Sequence, residues 1–161
     1  MKYLKIISFF LSLFSTDCFA QNNHFGAGEY AVDSIELDKL CEPRGALQYY
    51  SLKTKHPKSS AQLLTEVKAF YKKNTAAATQ SGFLTIRFII NCKGEPCAFK
   101  FYEIDENDQE RPFDTSISAP LLGFTKQLGG WKSGEHKGKT YNYYTYFCFK
   151  IKNGDIENIV P

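Results

Sequence analysis

Residues 83–104, which read FLTIRFIINCKGEPCAFKFYEI, decide the fold of this chain. In the first half of the stretch, large apolar side chains alternate with Thr85 and Arg87. In the second half, Phe99 and Phe101 alternate with smaller or charged side chains. An alternation with a period of two is typical of strands that bury one face. The stretch therefore predicts two antiparallel strands joined by a tight turn.

The turn of this hairpin falls within residues 91–97, NCKGEPC, which contain a Lys-Gly pair. Gly94 is expected to supply the positive φ that a tight turn requires. The same seven residues carry Cys92 and Cys97. A two-residue loop would set these cysteines opposite each other, whereas a bulged loop would leave Cys92 in the turn and offset from Cys97. The sequence leaves both arrangements open.

The first twenty residues, MKYLKIISFFLSLFSTDCFA, have the layout of a secretory signal peptide. Lys2 and Lys5 precede an apolar run over residues 6–14, and Ala20 is a small residue at the expected cleavage point. The apolar run is shorter than the ~20 residues that a membrane-spanning helix needs. We therefore expect residues 1–20 to be removed on export, with retention as a membrane anchor as the alternative.

Export bears on the cysteines, because disulfides form in oxidising compartments. Loss of Cys18 with the leader would leave Cys41, Cys92, Cys97 and Cys148. We expect disulfides among these four, and four cysteines allow three pairings between which the sequence does not choose. A pair of Cys92 with Cys97 would leave Cys41 for Cys148. A bridge between Cys97 and Cys148 is less favoured, because strict alternation turns them to opposite faces of the sheet, whereas a bulge would reverse this argument.

The polar residues give no sign of catalysis, of a metal or of a cofactor. A zinc site usually includes a second closely spaced pair of ligands, and the three histidines of this chain stand alone in the sequence. A thioredoxin-like site would place Cys-x-x-Cys at the start of a helix. The acidic loop over residues 105–110 lacks the ligand spacing and the central glycine of an EF-hand. Hydrolase, metalloprotease and phosphate-loop motifs are absent from the sequence.

The composition is that of one folded domain. Hydrophobic residues make up 43% of the chain and charged residues 23%, which excludes disorder in bulk. The formal net charge of +3 is too small to indicate binding to nucleic acid. A chain of 161 residues is the length of one domain once a leader is removed.

A first helix is predicted over residues 61–73. Ser59 and Gln62 fit a capping box, in which each side chain bonds the backbone amide of the other residue. Apolar residues then recur at helical spacing and end at a Lys-Lys pair, which suits the carboxyl end of a helix. The segment before it, residues 21–58, shows no sustained period and is expected to be an extended lead-in.

A second helix is predicted from near Ser118 to residue 128. Its start is set by Pro120, because proline is best tolerated in the first turn of a helix. Two glycines end the pattern, and Trp131 follows at once. Trp131 is expected to be a structural residue that fills the core beside the helix exit, with partner binding as the alternative.

The last strand is predicted over residues 141–152, YNYYTYFCFKIK. One face of it is large and apolar, and the other face carries Tyr144 and Tyr146. Since one face must be core, Tyr144 and Tyr146 are the candidate partner-binding residues. An Asn-Gly pair ending at Gly154 predicts a tight turn, after which residues 155–160 return as a short extra strand.

The predicted fold class is α+β. The elements follow the order α-β-β-α-β, with an antiparallel sheet of about three strands, room for a short fourth strand, and both helices on one face.

Three stretches carry a resemblance to a known family. They are IRFIINCKGE at residues 86–95, LLGFTKQLGGWKSG at 121–134 and GKTYNYYTYFCFKIKNGDI at 138–156. Together they resemble the C-terminal domain of TonB-type energy transducers, most closely the divergent TonB-like proteins of Bacteroidota. A His-Pro pair at residues 56–57 sits where that family often has an aromatic-Pro pair. The resemblance implies a TonB-like domain over residues 59–161.

The resemblance implies a mechanical role in transport without catalysis. The family's domain binds a short segment of an outer-membrane transporter by adding it as a strand to its sheet edge, which is β-augmentation. The aromatic strand over residues 141–149 is the expected edge. Without a Pro-rich spacer or a clear anchor, we expect an exported domain, periplasmic or associated with the outer membrane. A membrane-anchored transducer and a small secreted enzyme or inhibitor on another α+β scaffold are the alternatives.

Overall fold

The computed structural model describes residues 30–31, 46–52, 54 and 56–161. The predicted leader and Cys41 lie outside these residues. The described helices and strands, in chain order, are β1 (Tyr30–Ala31), β2 (Leu47–Gln48), α1 (Ser60–Phe70), β3 (Gly82–Ile90), β4 (Pro96–Asp105), α2 (Thr115–Gln127), β5 (Gly134–His136), β6 (Lys139–Tyr141), β7 (Tyr143–Lys152) and β8 (Asp155–Val160).

The main sheet has six strands in the order β1-β4-β3-β7-β2, with β8 also paired to β7. The prediction of two helices with a small sheet is correct in its class, but the sheet is larger than the three or four strands expected. It is also mixed, because β2 runs parallel to β7. The additional strands β1 and β2 come from the lead-in, and each is two residues long. A strand of that length is too short to show a period in sequence.

The core lies between one face of this sheet and the two helices. The inward side chains of β3 and β7 alternate along each strand, as the sequence predicts, and many are completely buried. Helix α1 contributes Leu63 and Val67, and α2 contributes Ile117 and Leu121, all with no exposed surface. Burial of one such side chain contributes roughly 1.5–3 kcal/mol. The packing of both helices on one face leaves the opposite face of the sheet to polar and aromatic side chains.

Helix α1 begins with the predicted capping box. The Ser59 hydroxyl accepts from the Gln62 amide at 3.3 Å, and Gln62 Oε1 accepts from the Ser59 amide at 2.8 Å. The helix ends at Phe70, three residues before the predicted end, because Tyr71 is already extended with ψ 133°. The Tyr71 hydroxyl donates to the Gly154 carbonyl at 2.8 Å, which ties the helix end to the β7–β8 turn.

Helix α2 begins three residues earlier than predicted. Asp114 is the N-cap, and its Oδ1 accepts from the Ser116 amide at 2.8 Å. Pro120 therefore lies in the second turn rather than in the first. The prediction of the start was wrong because a proline removes only one donor from a helix. A well-capped first turn fixes the start independently of it.

The β3–β4 hairpin has a turn held by one side chain. Asn91 Oδ1 accepts from the amides of Lys93 and Glu95 at 2.9 and 3.0 Å. Gly94 has a φ of 81°, and a Cβ there would lie 2.7 Å from the Trp131 carbonyl oxygen. The turn therefore needs glycine for two reasons, the backbone angle and the close approach of the chain.

A bulge at Ala98 breaks the regular register of this hairpin. Arg87 lies opposite Lys100 but Ile89 lies opposite Cys97, so β4 carries one extra residue. Ala98 takes a φ of 55°, as a bulged residue can. Because of the extra residue, Cys97 faces away from the core and packs with Ile89. The prediction from strict alternation, which put it on the core face, was wrong.

The cysteines do not form the expected pairs, Cys92 with Cys97 and Cys41 with Cys148. Cys97 and Cys148 retain their thiols, whereas Cys92 is disulfide-bonded. Cys92 sits in the turn, and the register places Cys97 opposite Ile89, so the offset geometry is the one adopted. The bridges of Cys92 to Cys97 and of Cys41 to Cys148 are therefore wrong. The bridge of Cys97 to Cys148, which the alternation disfavoured, is not formed.

Thiol labelling should separate these cysteines. Alkylation of the denatured, unreduced protein followed by peptide mass spectrometry should label Cys97 and Cys148 fully and leave Cys92 unlabelled. A reduced sample, in which Cys92 also becomes labelled, is the control. Label on Cys92 before reduction would contradict the assignment.

Gly94→Ala should destabilise the fold by ~2 kcal/mol or more, because it adds positive-φ strain and a clash with the Trp131 carbonyl. Gly129→Ala is the matched control, since a Cβ at Gly129 has no atom within 4 Å. Urea denaturation of both variants measures the difference. Equal stabilities would show that the close approach at Gly94 is not a constraint.

Candidate functional site

Strand β7 lies inside the sheet. Along one side it pairs with β3 from Tyr143 to Ile151. Along the other side it pairs with β2 at its start and with β8 from Cys148 onward. Of the described strands, none pairs with that side at residues 145–147. The expectation that the strand over residues 141–149 is the open edge of the sheet was therefore wrong, because β2 from the lead-in covers its start and β8, which directly follows β7, covers it from Cys148 onward.

Tyr144 and Tyr146 lie on the face of the sheet away from the helices, as the alternation predicts. Both are half-buried. The Arg87 guanidinium stacks over the Tyr144 ring at 4.7 Å, and the Tyr146 ring meets Tyr49 edge-on at 6.1 Å. Burial, with the neighbouring Tyr49, raises the pKa of the Tyr146 phenol. Each tyrosine therefore presents only part of its ring to a partner.

The β8 strand carries the longest open edge of the described sheet. It is six residues long, and no described strand pairs with its second side. Ile156 and Ile159 point into the core, and Val160 is 48% exposed. The Ile159 amide donates to Asn158 Oδ1 at 2.9 Å, so this amide is turned away from β7 and covered by a side chain. Such an amide is the kind of group that an added strand would bond.

The opposite edge of the sheet is better covered. Strand β1 pairs with β4 at Phe101 and Lys100. Beyond this pair, the loop after β4 folds back on the strand: the Arg111 amide donates to the Glu103 carbonyl at 3.2 Å, and the Asp105 amide donates to the Gln109 carbonyl at 2.9 Å. These bonds use the backbone groups that an incoming strand would need.

A cavity of about 430 Å³ lies where β2 and β8 approach each other beside β7. Its walls include Tyr49 after β2, Thr145 on β7, Pro161 after β8, and the segment from His56 to Ser60 that leads into α1. Trp131 closes it from the side of the α2 exit. The cavity therefore brings together residues that are distant in sequence, and it opens beside the unpaired part of β7.

Two buried ring nitrogens line this cavity without a described partner. His56 is 4% exposed and Trp131 is 8% exposed, and their rings meet at 74° with centroids 4.5 Å apart. His56 Nδ1 accepts from the Lys58 amide at 3.1 Å, which leaves the proton on Nε2. Neither His56 Nε2 nor Trp131 Nε1 has a hydrogen-bond partner in the part of the chain that the structure describes.

Burial dominates the electrostatics of His56. It lowers the pKa of the imidazole below 6.5, an effect that the carbonyl of Gly129 partly opposes and the Lys58 charge reinforces. The ring is therefore neutral at pH 7, and its Nε2–H acts as an uncharged donor. In the sequence, His56 belongs to a His-Pro pair and Trp131 is expected in the core, but no pattern predicts that the two rings contact each other.

A second, smaller cavity of about 230 Å³ lies against the acidic loop after β4. Asp105 Oδ1 accepts from the amides of Asn107 and Gln109 at 2.8 and 3.1 Å, so this carboxylate serves the loop itself. Over residues 46–52, 54 and 56–161, His, Cys, Asp and Glu side chains nowhere form a group of three that could hold a metal. Of the described helices, neither is long and apolar enough to cross a membrane.

The pKa of His56 predicts how stability depends on pH. Because its folded-state pKa lies below that of the unfolded chain, the unfolded chain binds the proton more readily. The contribution of His56 to the free energy of unfolding should be fully present above pH 6.5 and should be lost as the pH drops from 6.5 toward the folded-state pKa. Urea midpoints across this range measure the loss. His56→Phe should flatten the dependence and the exposed His136→Gln should keep it; a flat profile in the parent protein would contradict the assignment.

Comparison with known proteins gives no relative for this chain. Neither a protein-family model, nor a curated protein, nor a solved structure matches it.

Proposed function

We propose that this chain is an exported, non-enzymatic TonB-like domain that binds an extended segment of a partner protein by strand addition. The observation that carries the proposal is the open edge of β8, which no described strand covers over its six residues. Strand addition needs a sheet edge with free backbone groups on a rigid support. The rigid support here is β7, to which β8 is paired from Asp155 to Val160 around a bulge at Glu157.

The backbone of β8 would provide affinity, and its outer face would provide selectivity. A strand laid along β8 would bond the Ile159 amide after displacing the Asn158 side chain from it. Side chains of the added strand would alternate between the two faces of the sheet. On the outer face they would meet Val160, which lies directly opposite Cys148. Tyr146 is the diagonal neighbour of Val160 on that face.

Of the two candidate partner-binding tyrosines, Tyr146 is therefore favoured, because it lies nearer to β8 than Tyr144 does. Tyr146, Cys148 and Val160 form a half-exposed to exposed row that leads from the middle of the sheet to its edge. An aromatic ring beside an open strand offers apolar contact area at a low cost in side-chain entropy. Tyr144 lies farther from β8, next to β2, and packs with Ile89.

The partner that we propose is an N-terminal segment of a TonB-dependent outer-membrane transporter. The basis is the resemblance of residues 86–95, 121–134 and 138–156 to TonB-type domains, together with the leader-like residues 1–20. A chain that retained the leader as an anchor would bind in the same way from the inner membrane. In that case the localisation would change, but the edge that binds would not.

The edge can be tested with labelled peptides from the N-terminal segments of the organism's own outer-membrane transporters. Val160→Lys should weaken binding by about tenfold or more, since a lysine at a sheet edge opposes an added strand. Tyr146→Ala should also weaken binding, while Tyr144→Ala should have the smaller effect. Fluorescence anisotropy against each peptide measures the affinities.

Thr140→Lys is the matched control, because it adds the same charge at an exposed position of β6 in the separate small sheet. A peptide whose central residues are replaced by proline should not bind, since proline cannot donate to a ladder. A folded Val160→Lys variant that binds as well as the parent protein would remove β8 as the binding edge.

A further inference from the structure

Two ring N–H donors that line the cavity beside β7, His56 Nε2 and Trp131 Nε1, make no hydrogen bond within the described residues, although the Gly129 carbonyl lies close enough to His56 to affect its pKa. The neutral His56 ring has its acceptor nitrogen occupied by the Lys58 amide, so only its Nε2–H remains available. The Trp131 indole is a donor only. Each of these side chains is at least nine-tenths buried, where a donor without a partner is destabilising. A ligand that accepts hydrogen bonds would offset this cost.

The amino end of α1 adds to the same wall. This helix is 11 residues long, and its first residue, Ser60, lines the cavity together with Lys58 and Ser59 before it. The capping box satisfies the amides of Ser59 and Gln62, which leaves those of Ser60 and Ala61 as the remaining first-turn donors. The helix dipole favours negative charge at this end. The donors and the dipole therefore select a ligand with an anionic acceptor.

The charge in the cavity wall fits a singly charged group. Lys58 is the one cation among the cavity residues, and it already pairs with Glu66 at 2.7 Å. The remaining donors are neutral. A phosphate group, which carries about two charges at neutral pH, would call for more cations than this wall supplies. A carboxylate has one charge and two acceptor oxygens for the two ring donors.

The volume of the cavity and its apolar walls indicate the size and the apolar character of the rest of the ligand. A volume of about 430 Å³ lies within the range of small-molecule sites and exceeds what a lone carboxylate fills. Tyr49, Pro57 and Trp131 give the cavity apolar surfaces. From these features together we infer that the cavity binds a carboxylate attached to an apolar body, held by His56 Nε2–H, Trp131 Nε1–H and the amino end of α1 at Ser60.

This site adjoins the strand-addition edge, because Pro161 directly after β8 lines the cavity, but the inference does not depend on that function. The same chemistry has two sources, a free organic acid or the C-terminal carboxylate of a protein partner. The probes are 3-phenylpropionate for the first source and the tripeptide Gly-Gly-Phe for the second, each with its amide as the uncharged counterpart. Trp131 is the only tryptophan of the chain, so its indole N–H resonance is a unique reporter.

Titration of the full chain with each acid should shift the Trp131 indole resonance in a saturable way. The amides should bind about tenfold more weakly or worse, since hydrogen bonds to a charged acceptor are the stronger ones. Tighter binding of the tripeptide would identify a protein C-terminus as the ligand, and tighter binding of 3-phenylpropionate would identify a free acid. Absence of a saturable shift with both acids, or equal binding of acids and amides, would overturn the inference.

Two variants locate the site. His56→Asn keeps an acceptor for the Lys58 amide and removes the Nε2–H donor, and His56→Phe keeps an aromatic ring and removes both nitrogens. Each should weaken binding of the acids by about tenfold, whereas the exposed His136→Asn should leave it unchanged. Unchanged binding in either folded His56 variant would also overturn the inference. If both variants unfold, the comparison of acid with amide in the parent protein still decides.

Discussion

The pairing of β3 with β7 is the interaction on which the rest of the structure depends. It runs in unbroken register from Gly82 opposite Ile151 to Ile90 opposite Tyr143. Both strands bury alternate side chains on the same face, so a shift of one residue would turn every large apolar side chain to solvent. The hairpin, the extra strands and both helices take their positions from this pair. The cavity lies where the partner along the second side of β7 changes from β2 to β8, and β8 carries the open edge.

Features that depend on neighbours in sequence could be predicted. The alternation over residues 83–104 located β3 and β4, Ser59 with Gln62 located the start of α1, and the Asn-Gly pair before residue 155 located β8. In each case a local rule of backbone geometry or capping acts within a few residues. The prediction of an extra strand after Gly154, which has a φ of 72°, is confirmed in this way.

Features that depend on distant contacts could not be predicted. Strands β1 and β2 form because a longer strand offers an edge to them, and two residues carry no period of their own. The bulge at Ala98 reverses the face of Cys97 without any proline or glycine at that position to mark it. For the same reason the sequence did not reveal the cavity, since His56 and Trp131 are 75 positions apart and meet only after both helices have packed.

The side chain of Asn158 has a consequence for the protein at high concentration. An uncovered strand edge is a template on which two copies of the same chain can begin to aggregate. By occupying the Ile159 amide with its own oxygen, Asn158 makes a brief collision between copies unproductive, because the first backbone bond must replace one that already exists. A longer matching segment can compensate with its further bonds. One amide oxygen thus discriminates between accidental and sustained encounters, and it protects solubility in a crowded compartment.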